Sequence, residues 1–358
     1  MEHLASNQIA VGLEERRLER RILLKRYFLV ALLLSTWLPI AFFILLVPSG
    51  GENSGLSGIK TVFLFLGTAH VPATLFFYTD KEFSAIIKNH RLRYVYVPIL
   101  LTLVTGLLFA FLSATAQAFC LLIFWSWQAF HYGRQNIGIY AFASIAETGR
   151  PPRRAEKLAI EFGTILGILG TFKILGMAVA PIYLHNTFNY FYQFGSVTFA
   201  AVFVFSVAVY VRFIKNTTFF KTSFFFSAVF FFLPVFISTN LNIAFLSYAM
   251  AHGMQYIIFM TVISATAPEE QKRSLPYKSL ARLLVLLLIA GFAFWRVGDL
   301  KQMEFVKGSW IYLRLADFLF GAVLGATMSH FVVDAGAWRL RMERQRAYMT
   351  KRFHFVFD

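Results

Sequence analysis

Residues 117–146 read QAFCLLIFWSWQAFHYGRQNIGIYAFASIA, a run of 30 residues in which Arg134 is the one charged side chain. About 20 apolar residues suffice to cross the hydrocarbon of a bilayer as a helix, so a run of this length predicts a spanning helix. Its middle is polar all the same. Between Trp125 and Asn136 stand Gln128, His131, Arg134 and Gln135, residue types that are expensive in hydrocarbon and are kept there for a function or for contact with a neighbouring helix.

Working outward, nine more apolar runs occur, at 27–48, 59–79, 94–114, 158–184, 192–214, 222–239, 241–265, 279–297 and 311–338. The turns closing the third and seventh of the ten runs, at Ser113–Gln117 and Ser238–Leu241, are only a few residues long. The fold class expected is all-α, a polytopic integral membrane protein of about ten transmembrane helices. Composition agrees: 58% of residues are hydrophobic, 43 are Phe, and 15% are charged, against about 25% charged in soluble domains. The expected organisation is a basic N-terminal segment at the membrane interface (1–26), a helical membrane domain (27–338) and a basic tail (339–358).

The net charge of +16 would suggest nucleic acid in a soluble protein. Here the basic residues lie between apolar runs, so the partner they imply is the anionic headgroup layer, and nucleic acid is not expected. With both termini cytoplasmic, as for a protein of a bacterial inner membrane, the cytoplasmic pieces hold 27 of the 34 Lys and Arg residues. The outer loops hold three, Lys60, Lys301 and Lys307. One miscounted span would invert every later loop and destroy this asymmetry. The single cysteine, Cys120, excludes an intrachain disulfide and a multi-cysteine metal site. The first apolar run is long enough to span and has no small-residue cleavage site, so no cleavable signal peptide is expected.

The eight histidines divide into two groups. His3, His90, His185 and His354 fall between apolar runs and read as solvated. His70, His131, His252 and His330 lie within the second, fourth, eighth and tenth runs. Those four helices run in the same direction, so the imidazoles are expected in one layer of the bilayer. One such residue reads as helix–helix glue; four at comparable depth point to a metal or haem site, because imidazole is the commonest protein metal ligand. Helical spacing supplies companions. Gln128 and Gln135 flank His131, Gln255 follows His252 by three, and Asp334 follows His330 by four. Metal-bound histidine normally hydrogen-bonds a supporting group through its other ring nitrogen, and these four have the right chemistry for that support or for ligation; Asp334 could instead pair with Arg339 or Arg341, and the glutamines could bond neighbouring helices. Arg134, with Trp127 and Tyr132, is the candidate contact for substrate or an anionic group, and Arg134 could also snorkel to the interface. Tyr248 and Tyr256 are further phenolic candidates, and Pro72 is expected to kink the His70 helix. Gly163/Gly167 and Gly321/Gly325 have the spacing of close helix contacts.

This constellation of a polytopic chain with four buried histidines resembles the integral-membrane, histidine-ligated iron oxygenases of the Brp/Blh β-carotene dioxygenase type. The resemblance is architectural: the H-x-x-x-H pair associated with such enzymes is absent, His330 being followed by Asp334, and the histidine boxes of membrane desaturases are absent too. It implies Fe(II) as cofactor, dioxygen as co-substrate, and a hydrophobic carotenoid-, terpenoid- or lipid-like substrate entering from the bilayer. Two other classes stay open. A haem b protein in electron transfer would use the same histidines as axial ligands, with Arg134 near a propionate. A proton-coupled transporter would use Asp334, Arg134 and the histidines as a path, and would be expected to show internal repeats.

Overall fold

The computed structural model describes residues 2–46, 57–179, 181–238, 240–266, 278–297 and 309–357. All secondary structure among the described residues is helical. α1 (Glu2–Ala41) runs into a π-turn, Phe42–Leu46, and is followed by α2 (Ser57–Ala73) and α3 (Lys81–Asn89). α4 (Val97–Phe111) is entered through a π-turn at Leu92–Tyr96, and α5 (Ala114–Thr148), α6 (Arg154–Val179) and α7 (His185–Phe213) follow. Next come α8 (Phe219–Val229) and α9 (Leu241–Ala265). α10 is assembled from Lys278–Val285, a π-turn at Leu286–Ala290, and Gly291–Arg296. α11 (Trp310–Ala337) and α12 (Glu343–Arg352) complete the chain with a last turn at His354–Phe357.

Among the described residues, five helical stretches are long and apolar enough to cross a membrane: Glu14–Leu45, Leu92–Phe111, Ile182–Phe213, Ile243–Ala265 and Trp310–Ala337. The other apolar runs are helical but shorter, broken or polar. α5 and α6 have the length, 35 and 26 residues, but carry the polar groups of 128–136 and Glu156, Lys157, Glu161 and Lys173. The run 59–79 breaks after Ala73, where Pro72 has left the ladder one donor short. The backbone tightens there to three-residue bonds, Thr74 N to Val71 O and Leu75 N to Pro72 O. Run 222–239 is likewise split between α8 and a turn at Pro234–Ile237.

The two short turns are sharp because polar caps end them. Ser113 caps α5 and Asn240 caps α9, its side chain accepting the Ile243 N–H at 3.1 Å. At its other end α5 stops at Gly149, whose φ of +65° suits glycine. The paired glycines do bring helices together. A side chain at Gly321 or Gly325 would strike the α4 backbone at Thr105 and Leu101, and one at Gly163 would strike the α8 backbone at Val229.

Two expected segments look different once folded. α1 is continuous through residue 26, so the basic N-terminal stretch belongs to the same helix as the first stretch long and apolar enough to cross a membrane. The tail, described through residue 357, packs as part of the bundle. Phe353 is fully buried among Phe28, Phe142 and Phe259, with ring centroids 5.2–5.6 Å apart. Arg352, 1% exposed, binds Asp80 at 2.7 Å and Glu82 at 3.0 Å. Tyr348 donates to the same Asp80 oxygen at 3.1 Å, and burial beside that carboxylate pushes its phenol well above the usual range. Lys25 and Arg282 tie into carbonyls of Ala146 and Thr79 at this same end. The loop 267–277 and the segment 298–308 with Lys301 and Lys307 lie outside the described residues.

Candidate metal centre

His70 sits on α2, His131 on α5, His252 on α9 and His330 on α11, between 0% and 7% exposed. Their rings form a closed quadrilateral. Centroids are 4.8 Å apart for His70–His252, 5.0 Å for His252–His131, 5.2 Å for His131–His330 and 5.1 Å for His330–His70, with His252–His330 at 6.4 Å across it. Neighbouring rings are steeply inclined, by 71–84° around the four sides. The four residues expected in one layer are therefore in one another's reach.

The close approach of α2 and α9 depends on two glycines. A side chain at Gly67 would collide with Met250, and one at Gly253 would sit 3.0 Å from His70 Nδ1 and from Gly67 Cα. The backbones are consequently near enough for His70 and His252 to share a site.

Hydrogen bonds fix which nitrogens face inward. His70 Nδ1 is bonded to the Gly67 carbonyl. A carbonyl only accepts, so Nδ1 carries the proton and Nε2 holds the lone pair. His330 Nδ1 lies 2.5 Å from the Thr74 hydroxyl, which is itself 2.8 Å from the Tyr256 hydroxyl. Tyr256 then donates to Asp334 Oδ1 at 3.0 Å. The other Asp334 oxygen stands 3.5 Å from His330 Nε2 and 4.0 Å from His131 Nε2. Among the described residues, five buried imidazole nitrogens have no hydrogen-bond partner: Nε2 of His70, His131 and His330, and both nitrogens of His252. Two triads have ligand atoms mutually within 4.8 Å, His70/His252/His330 and His131/His330/Asp334.

Desolvated nitrogens with nothing to bond are costly, and Asp334 is a buried acid with no Lys or Arg ion-paired to it among the described residues. A cation held by the histidines and Asp334 would remove both penalties at once. The residues fit a metal ion on that ground.

The supporting residues divide. Asp334 lies among the inward nitrogens, in ligand position, with Tyr256 behind it; its partners are these and not Arg339 or Arg341. Tyr132 packs against His252 with centroids 4.1 Å apart and the rings tilted by 33°, and Gln128 donates to the Tyr132 hydroxyl at 2.6 Å. Gln128 thus acts on the site through Tyr132. Gln135 donates to the His252 carbonyl at 3.1 Å and to Gln255 Oε1 at 3.0 Å, while Gln255 donates to Thr36 on α1 at 2.7 Å. Those amides clamp α5, α9 and α1 and do not touch the imidazoles by a hydrogen bond. Trp127 packs on Phe331, which stacks on His131 at 4.3 Å. Arg134 faces outward and pairs with Glu161 at 3.1 Å, so the structure does not bring it to the histidines. Tyr248 bonds Thr171 at 3.2 Å, away from the inward nitrogens.

Sequence reasoning passed over Thr74, Phe331, Gly67 and Gly253. Thr74 was within reach of the same helical rule, standing four residues after His70. No family model, curated protein or solved structure matches this chain.

Proposed function

We propose that the chain is a membrane-embedded, metal-dependent oxidoreductase, a non-haem iron oxygenase acting on a lipophilic substrate of carotenoid, terpenoid or lipid type. One observation carries the reading: among the described residues, five buried imidazole nitrogens without partners are gathered in one layer, and a buried carboxylate with no Lys or Arg ion-paired to it stands against two of them. His70, His131, His252 and His330 are the proposed ligands, joined by Asp334 Oδ2. Imidazoles with a carboxylate and an open position suit non-haem iron. Fe(II) held there would supply dioxygen binding next to the substrate.

The chain's own residues do the rest. Gly67 O and Thr74 orient His70 and His330 through their outer nitrogens. Tyr256 holds one oxygen of Asp334 and so turns the other toward His131 and His330. Tyr132 and Phe331 cover the faces of His252 and His131, which keeps the layer dry and strengthens its electrostatics. Haem b suits the geometry less well, because four imidazoles at centroid spacings near 5 Å leave no gap for a porphyrin plane. Topologically, the proposal places ten helices in the membrane, five of them the long apolar ones and five shorter, broken or polar, with both termini on the basic, cytoplasmic side.

Elemental analysis and an absorption spectrum of one purified sample test this. The expected result is iron bound to the chain with no Soret band, lost on alanine replacement of any of the four histidines and kept in His90→Ala. Wild-type protein that takes up no metal when supplied with iron sinks the reading. An intense Soret band would move it to electron transfer.

A further inference from the structure

A second polar site lies at the tail end of the bundle, apart from the histidine layer. A cavity of about 560 Å³ opens between the start of α4, the last turn of α11 and the tail. Arg91, Arg93 and Arg339 line it together with His90, Tyr94 and Gln345. None of the three arginines has a carboxylate partner or a side-chain hydrogen bond among the described residues. That sets them apart from Arg134, Lys221, Lys351 and Arg352, which are all ion-paired. Tyr94 is 1% exposed, and its hydroxyl has no geometrically formed hydrogen bond, although Gln345 lies beside it.

Guanidinium groups gathered round one cavity repel each other until an anion joins them. Burial, with Arg93 and Arg341 nearby, holds the Arg339 guanidinium below its usual range. The cluster is held in place all the same. Any side chain at Gly336 would strike the Tyr94 hydroxyl and Arg93 Cδ, so the last turn of α11 presses directly on both. Val97 and Val332 add apolar surface to the same lining. Leu92, also in the lining, is 71% exposed. A lining that combines three guanidinium groups with apolar side chains matches an amphiphile with an anionic head.

We infer that this cavity binds a phosphate group, presented by an anionic phospholipid headgroup, between Arg91, Arg93 and Arg339. Arginine forks are the side chains best matched to phosphate oxygens, and basic pockets between helices at the membrane surface are a known route to headgroup recognition. The buried Tyr94 hydroxyl and the Gln345 amide supply neutral donors beside the charged ones. The inference is independent of the metal.

The test uses the full-length protein in nanodiscs of mixed phosphatidylcholine and phosphatidylglycerol, with retained lipid counted by native mass spectrometry. Wild type is expected to retain phosphatidylglycerol over phosphatidylcholine. Arg93→Gln with Arg339→Gln is expected to weaken that preference by roughly tenfold or more. Arg16→Gln with Arg17→Gln removes as much charge from the exposed part of α1 and should leave the preference intact. A parallel arm titrates pyrophosphate into protein in non-ionic detergent. Saturable binding there, lost in the Arg93/Arg339 variant and without lipid selectivity in nanodiscs, would support the phosphate site and assign it to a free phosphate. Equal retention of the two lipids by wild type with no pyrophosphate binding overturns the inference, and that measurement needs no variant to fold. A preference that survives the double substitution overturns it too, and so does one that the Arg16/Arg17 pair abolishes equally.

Discussion

Two buried polar clusters sit at different levels of this bundle, and their chemistry is opposite. At the tail end, the charges of Asp80 and Glu82 are matched by Arg352 and Lys351, and Tyr348 adds a bond to Asp80. Two Arg352 nitrogens make no bond, but the charge count closes within the protein. In the histidine layer it does not close. Among the described residues, five imidazole nitrogens are without partners, and Asp334 is met by His131, His330, Tyr256 and Trp338 but by no Lys or Arg in an ion pair. The first cluster is complete and reads as a latch that holds the tail against α3. The second becomes complete only with a ligand. Burial of polar side chains alone does not separate structure from function; the state of their partners does.

The largest effects should come from the same kind of substitution made in both places. Arg352→Leu strands Asp80 in a buried site, and removing one partner of a buried pair costs about 3–5 kcal/mol. Thermal unfolding in detergent should show a large loss. His252→Leu, at 0% exposure, removes two partnerless nitrogens. In metal-free protein it should be neutral or stabilising by about 1 kcal/mol, since each unsatisfied buried group carries a penalty of its own. Added iron should raise the melting temperature of wild type by mass action and leave the variant unmoved. If His252→Leu destabilises the metal-free protein as much as Arg352→Leu, the histidines are a structural cluster and the contrast fails.

Asp334→Asn comes next. It keeps the shape and an acceptor but removes the charge between His131 and His330. Metal affinity is expected to fall by about ten- to a hundredfold, measured by competition against a chelator. Unchanged affinity would remove Asp334 from the centre and leave it as Tyr256's partner.

The sequence made the histidine layer legible because imidazole is so out of place in an apolar run, and helical spacing brought in Asp334 with it. Gln135 and Gln255 obeyed the same spacing, yet their amides bond each other, a backbone carbonyl and Thr36. Spacing along one helix says which residues share a face, and says nothing of which neighbouring helix offers a competing partner. The tail was hidden for a related reason. Its composition is basic, and five residues scattered among the charges, Tyr348, Met349, Phe353, Phe355 and Val356, do the burying. Glycine was informative where it came as a spaced pair on one helix, as at Gly321 and Gly325. Gly67 and Gly253 face each other from two helices, and one chain's sequence does not reveal that pairing.

That pairing gives a smaller, graded test. Gly253→Ala places a methyl 3.0 Å from both His70 Nδ1 and Gly67 Cα, so α2 and α9 must separate by a few tenths of an ångström. Overpacking of this sort costs about 1 kcal/mol or somewhat more. The separation acts directly on the 4.8 Å His70–His252 spacing, so metal affinity should drop several-fold with little change in the tail latch. Gly138→Ala is the control, since nothing lies within 4 Å of its added methyl. Equal metal affinity in the two variants would show that the helix approach does not set the site.

The smallest effect is expected at the residue that the polar stretch 125–136 advertises most loudly. Arg134 stands three positions after His131, yet its side chain is 55% exposed where that of His131 is 8% exposed, and it pairs with Glu161, itself 42% exposed. An exposed ion pair of this kind is worth about 0–1 kcal/mol, and no bond connects it to the imidazoles. Arg134→Gln should therefore leave metal affinity and spectrum unchanged and shift the melting temperature slightly, with Glu161→Gln in the same background adding nothing further. If Arg134→Gln instead lowers metal occupancy as Asp334→Asn does, the guanidinium belongs to the site in a conformation other than this one. The boundary between the completed and the incomplete cluster would then have to be redrawn to include the outer face of α5.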